Sequence, residues 1–417
     1  MSEIRWFVGV DWASQEHEVC VVDRSGQRVA ERACKHSGQA IVELCQWLLD
    51  LTQAEPAEIA VAIELTRGAV VETLLERGFS VYGINPKQLD RFRDRHSVAG
   101  AKDDRLDAYV LADSLRTDTA RYRRLRMDDP HVVELREWLK MREDLTQERT
   151  RLTNRLRDQL WRYYPQFLEL DEDIGAAWLL DLWERAPTPR KAAKLRRATV
   201  ERILKEHRIR RHTAADVLER LRVRALSVAP GATEAAVAHI EALSERIRLV
   251  DRQRKGCERR IGAMLDDLGR SGEVPGQPTG QPSEQRDVAI LDSLPGVGQI
   301  VLASLLAHAG QPLRERDYQK LRTLAGPAPV TRRSGKSKVV RMRYACKREL
   351  REATFHWART AVQTDRAFAD HYRELRGRGH THGRALRSVA DRLLRLACTM
   401  LRNQTLYDPK YREPKAA

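Results

Sequence analysis

The sequence offers little sulfur chemistry: six cysteines (Cys20, Cys34, Cys45, Cys257, Cys346 and Cys398) stand scattered, with no Cys-x-x-Cys pair. That spacing excludes a zinc ribbon and a secreted disulfide framework and fits a reducing cytoplasm. The opening MSEIRWFVGV lacks the basic segment, apolar core and small-residue cleavage site of a signal peptide. No apolar run approaches the roughly 18 residues of a membrane helix, so the expectation is a soluble intracellular protein. No repeat recurs at a fixed period. Negative charge is in deficit, with 59 acidic residues against 75 lysines and arginines and a net charge of +16. Such an excess points to a polyanionic partner, because a small acidic metabolite needs far less. Chain is plentiful: 417 residues predict two or three domains with cores of their own.

Residues 4–10, 17–23 and 28–34 alternate or run apolar, and a turn at Arg24-Ser25-Gly26-Gln27 separates the last two. They predict a three-stranded antiparallel meander. An amphipathic stretch follows (Ile41, Leu44, Cys45, Leu48, Leu49), then a buried strand over 59–65, a helix near 69–75 and a strand over 79–84. Hairpin strands followed by strand, helix and strand predict an α/β mixed sheet covered by helices.

From about Val132 the pattern changes. Leu135, Trp138, Leu139, Leu145, Leu152, Leu156 and Leu160 mark one face of a long, charge-rich helix. Two readings stand: a coiled coil that joins protomers, or a helix packed within its own chain, with Arg142 and Arg149 interrupting the seam. SGEVPGQPTGQPSEQ (271–285) has the composition of a tether. The expected divisions are 1–120, a helical oligomerisation region over 121–270, the tether, and an all-helical part over 286–417.

Asp11 closes the first strand in FVGVDWA, and Glu64 closes a later one in VAIELT. Asp104 and Asp107 stand three apart in AKDDRLDAYVLAD, neighbours on one helix face. Four carboxylates that converge make an oxygen-only site for hard divalent cations such as Mg²⁺, and two ions can clamp an in-line phosphoryl displacement. The plainer reading has Asp11 and Glu64 ending strands and Asp103, Asp104 and Asp107 opening a helix against its dipole.

The order VGVDWASQEHEVCVVDRSG, AIELTRG, VYGINPKQLDRFR and Lys102-x-Asp104-x-x-Asp107-Ala108 resembles the RuvC-like domain of the DEDD-type insertion-sequence transposases. The resemblance implies a ribonuclease H-like fold, with Asp11, Glu64, Asp104 and Asp107 as ligands of two Mg²⁺ or Mn²⁺ ions. It also implies donor and target DNA as substrates, guidance by a bridge RNA, and work in the bacterial cytosol or nucleoid.

In the C-terminal part, LDSLPGVGQIVLASLLAHAG (291–310) resembles a helix-hairpin-helix, whose turn at Gly296 and Gly298 would seat a phosphate on free backbone N–H groups. The plainer reading is a corner that needs glycine for its φ angles. Arg332, Arg333, Lys336, Lys338, Arg341 and Arg343 give TRRSGKSKVVRMR six positive charges and no negative one, a phosphate-binding surface. At its centre Ser334 lies beside a glycine, and an unassisted serine needs a metal or focused positive charge to attack phosphorus. LAGPAPVTRRSG (324–335) is similar to the LAGxAP and Ser-Gly segment of the same transposases, which implies that Ser334 is the nucleophile; Ser337 is its nearest rival. Relatives continue with Ser-Lys-x-Gly-Asn, whereas this chain has RYACKRELREATFHWA, so Lys347, Arg348 and Arg351 are expected to take over that backbone contact. His380 and His382, without acids nearby, are expected to be surface residues.

The reading is a recombinase whose carboxylates and serine act on one phosphate, in a dimer or tetramer, since recombination joins two DNA molecules. Three rivals stand: a junction resolvase with water as nucleophile, a sugar-kinase or actin-like enzyme, and a nucleic-acid packaging protein without chemistry. Against the second, the chain has no second Gly-rich phosphate loop and too much basic charge.

Overall fold

The structure, a computed structural model, describes residues 3–95, 103–126, 129–224, 226–270, 284–335 and 337–408. Lys102, Lys336 and residues 271–283 of the expected tether lie outside the described residues. The chain forms two compact units, Met1–Asp129 and Pro130–Ala417.

In the first unit, β1 (Trp6–Asp11), β2 (Glu16–Val22) and β3 (Arg28–Lys35) form the expected meander. Strands β4 (Ile59–Ile63), β5 (Ser80–Gly83) and the short β6 (Arg123–Arg124) extend it into a mixed sheet in the order β3-β2-β1-β4-β5-β6. β1, β4 and β5 run parallel, so crossovers have to carry the chain back across the sheet. Two of its helices, α1 (Gly38–Thr52) and α2 (Ala69–Glu76), cover one face, where Val8, Val10, Val61 and Ile63 meet Ile41, Leu44, Leu48, Val70 and Leu74. The other face carries α3 (Pro86–Arg93) and α4 (Asp104–Asp118), with Phe7, Ala60, Ala62 and Tyr82 against Leu89, Val110, Leu111 and Leu115. Period-two alternation therefore sends Phe7, Gly9 and Asp11 to the α4 side. A Cβ on Gly9 would stand 1.9 Å from the Ala108 carbonyl oxygen. Glycine there lets α4 lie directly on the strand.

The second unit begins with α5 (Pro130–Tyr163) and continues through four short helices, α6 to α9 (Ala177–Arg185, Pro189–Ala193, Arg197–Glu206, Ala214–Leu221), to α10 (Pro230–Arg270). α5 and α10 run antiparallel: Arg142 pairs with Glu258 at 3.1 Å and Arg149 with Asp251 at 2.9 Å. The two arginines that interrupt the leucine seam are thus held by the neighbouring helix. Leu145, Leu152, Leu156 and Leu160 are buried with Ile240, Ile247, Val250 and the short helices. Of the two readings of the seam, the one packed within its own chain is what the structure shows, because α10 supplies a matching apolar stripe.

The remaining helices are α11 (Glu284–Asp292), α12 (Gln299–Arg314), α13 (Tyr318–Ala325), α14 (Arg348–Thr364), α15 (Arg366–Gly377) and α16 (His382–Asn403), and between α13 and α14 lies a hairpin, β7 (Val330–Ser334) and β8 (Ser337–Arg341). One core joins Leu135 and Leu139 of α5 and Ile261 and Leu265 of α10 to Leu291, Leu305, Leu350, Trp357 and Leu393. The helices on either side of the expected tether, α10 and α11, share that core. No described helix is long and apolar enough to cross a membrane.

Candidate active site

Asp11 ends β1 at the point where α4 begins on the same face, and Asp11, Asp104 and Asp107 each present a carboxylate oxygen within 4.8 Å of the others. Asp107 is buried, Asp11 half-buried and Asp104 exposed. Asp103 serves the helix instead, since as N-cap of α4 its side chain accepts from the Arg105 N–H. Glu64 follows β4, and since Val10 pairs with Ile63 in parallel register, its position falls beside Asp11 on the α4 side. Its carboxylate stays outside the group of three. Three carboxylates with no histidine or cysteine among them are the donor set that hard divalent cations take, so these residues fit such a metal.

Two neighbours escape a reading of the sequence. Arg93, last residue of α3, reaches Asp107 with both ends of its fork. Glu18 lies directly opposite Asp11 across the antiparallel β1–β2 pair, hence on the same face. Its carboxyl sits above the usual glutamate range, chiefly through burial, and its Oε2 lies 4.0 Å from Arg105 Nε. A hairpin register counted across the short connection of residues 12–15 between β1 and β2 would have found Glu18; no local signal marks Arg93.

The loop after Asp11 is braced from behind. The Ala13 N–H donates to Nδ1 of His17 at 3.2 Å, which leaves the proton of the neutral ring on Nε2, 3.0 Å from Nδ1 of His36. The Trp12 ring stacks on His17 and meets the edge of His36. His17 is fully buried, and burial together with His36 holds its pKa below the ordinary value.

In the second unit the β7–β8 hairpin carries the basic run into solvent: Arg332, Arg333, Lys338 and Arg341 are exposed, as are Ser334 and Ser337, which pair across the turn. Gly335 opens that turn at φ +53°, which glycine adopts freely. Apart from the half-buried Val330, every described residue of both strands is exposed, so the ribbon has no core of its own. Of the other expected cations, the side chains of Arg343 and Arg348 have partners within the chain. Arg343 donates to the Ala328 carbonyl at 3.2 Å, Lys347 is the N-cap residue of α14, and Arg348 pairs with Glu352 at 2.8 Å. Gly296 has φ +77°, and a Cβ there would lie 2.5 Å from the Ala361 nitrogen. Its lack of a side chain serves packing against α14, where Trp357 Nε1 donates to the Pro295 carbonyl. Gly298 is open and precedes α12 as its N-cap. His382 accepts or donates a hydrogen bond with Tyr372 at 2.8 Å.

Known proteins share both halves of the chain. The IS110-type DEDD transposase family matches residues 8–165, and the family described as Transposase IS116/IS110/IS902 matches residues 288–373. The chain is 32% identical over 400 residues to the "Mini-circle putative transposase for IS117" of Streptomyces coelicolor, covering 93% of this chain and 92% of that one. It is 56% identical over 209 residues to "Putative transposase y4uE" of Sinorhizobium fredii, a match that spans 50% of this chain and 58% of that relative. The 43.6 kDa protein of insertion element IS110 from S. coelicolor is 26% identical over 417 residues, or 97% of this chain and 96% of that protein.

Proposed function

Since the chain belongs to the IS116/IS110/IS902 family of transposases, we propose that it cuts and rejoins DNA through a composite site built from the first unit's carboxylates and Ser334. The observation that carries the reading is the convergence of Asp11, Asp104 and Asp107 within 4.8 Å at the end of a central strand. Asp11, Glu64, Asp104 and Asp107 would hold Mg²⁺, which supplies Lewis-acid polarisation of the scissile phosphate and charge for the developing oxyanion. Glu64, outside the group of three, would have to turn its side chain toward them to join as a ligand.

Ser334 stands at the tip of an exposed ribbon with Arg332, Arg333, Lys338 and Arg341 around it. Those guanidinium and ammonium groups seat the backbone phosphate and stabilise the pentacoordinate charge. The Oγ–phosphorus bond forms as the phosphorus–oxygen bond to the leaving strand breaks, and the leaving oxygen takes a proton. Attack on the phosphoserine by a hydroxyl of the second DNA molecule reverses the step and frees Ser334. One phosphodiester-type bond persists throughout, so no external energy is needed.

Sequence choice is delegated to a bridge RNA encoded with the element, and the protein contributes backbone contacts. The basic excess lies in the second unit, where the exposed ribbon presents Arg332, Arg333, Lys338 and Arg341, and suits that role. Two DNA molecules require several sites in one assembly, so the working form is an oligomer of the bacterial cytosol. The experiment mixes purified protein, Mg²⁺, the noncoding RNA flanking its locus and labelled DNA, and resolves the products on a denaturing gel. A protein-linked DNA band that vanishes in Ser334→Ala and persists in Ser337→Ala is expected. Cleavage unaffected by Ser334→Ala would make water the nucleophile and the protein a junction-type endonuclease.

A further inference from the structure

Asp107 is nearly sealed, with its side chain 3% exposed, and Arg93 takes both of its oxygens: Nε donates to Oδ1 at 2.6 Å and Nη2 to Oδ2 at 2.7 Å. Two parallel charge-assisted bonds are the tightest arrangement a guanidinium makes with a carboxylate. The same carboxylate contributes an oxygen to the group it forms with Asp11 and Asp104. Asp107 is thus offered to two cations, one on the chain and one from solution. A divalent ion bonded to it draws on the electron density that the two N–H groups use, and its double charge repels a guanidinium a few ångströms away.

The third corner of the fork has another partner. Nη1 of Arg93 lies 3.2 Å from Oδ1 of Asp90, one turn back on α3, whose side chain is 66% exposed. A guanidinium displaced from Asp107 therefore keeps an acceptor at the rim of the cleft and need not travel. Resting on the metal reading above, we propose that Arg93 is a positioning residue that competes with the divalent cation for Asp107. Metal entry and retreat of the guanidinium toward Asp90 are one coupled event. The arginine keeps three crowded carboxylates together, and the metal has to displace it to gain a third ligand.

The test uses the full-length chain, stripped with EDTA and titrated with Mn²⁺, free ion being read by electron paramagnetic resonance. Arg93→Gln is expected to bind Mn²⁺ about tenfold more tightly than the parent, from removal of one nearby positive charge. Arg93→Lys, with a charge and no fork, is expected to fall between them, and Asp11→Asn to lose the binding. Thermal melting supplies a second sign: Arg93→Gln without metal melts lower than the parent, and Mn²⁺ raises its melting temperature by more. If Arg93→Gln does not fold, Arg93→Lys decides by the same two readouts. Folded variants that bind Mn²⁺ no more tightly than the parent, or more weakly, overturn the proposal and leave Arg93 as a fixed brace for Asp107. Absence of Asp11-dependent Mn²⁺ binding in every variant overturns it together with the metal reading.

Discussion

Asp11 and Asp107 owe their closeness to the chain around them, and each can be probed singly. Asp11→Asn removes one charge at a half-buried strand end and no packing, so strand cleavage is expected to fall by at least about a hundredfold while the melting temperature holds; a steady-state cleavage assay beside a thermal melt checks both. His17 gives a pH signature. Its folded pKa is depressed by burial and by His36, so the unfolded chain takes up a proton near pH 6.5 and the folded chain only at lower pH. The stability this supplies is fully present above about pH 6.5 and is lost as pH falls below it. Replacing His36 by Gln removes one cause, so the drop in melting temperature from about pH 7.5 to about pH 5.5 should shrink relative to the parent. Three of the four expected carboxylates were legible because strand ends and an i, i+3 spacing are local patterns. Arg93 was not, because it lies 14 residues from Asp107 in sequence and only the packing of α3 beside α4 brings them together.

α4 is the element on which the site turns, and Gly9 decides how closely it lies. A methyl group there would stand 1.9 Å from the Ala108 carbonyl oxygen and 2.7 Å from the Ala112 nitrogen. Gly9→Ala is expected to cost on the order of 3 kcal/mol, read from urea unfolding, because neither contact is with a side chain that can yield. It should weaken Mn²⁺ binding in whatever fraction stays folded. The β7–β8 ribbon is the opposite case: with no core, it contributes charge more than stability. Arg332→Ala and Lys338→Ala should each reduce the salt slope of DNA binding by about one and leave the melting temperature unchanged. The strands, the α4 start and the leucine seam could be read from periodicity. The partner of that seam could not, since α10 begins at Pro230, far beyond the end of α5 at Tyr163, and a single amphipathic helix does not say what covers it. Gly296 stood between two readings for a related reason: its φ of +77° fits the corner that needs glycine, and only the fold reveals that Ala361 occupies the space beside it.

At the scale of the whole molecule, charge and core make separate statements. If assembly on DNA neutralises about eight phosphates, log affinity against log salt should slope at about −7, measured by fluorescence anisotropy. The shared core of α5, α10 and α11 to α16 makes a different demand. A protease site inserted between residues 271 and 283, then cut, should yield two fragments that co-elute on size exclusion under native conditions and part in denaturant. The antiparallel pair α5 and α10 is a rod about 50 Å long, at about 1.5 Å per residue over the 34 residues of α5. Its foot, at Leu135, Leu139 and Ile261, is set among the helices between which the Ser334 ribbon emerges. The helices that flank the ribbon are thus seated on the base of the rod, while its other part is held among the short helices α6 to α9.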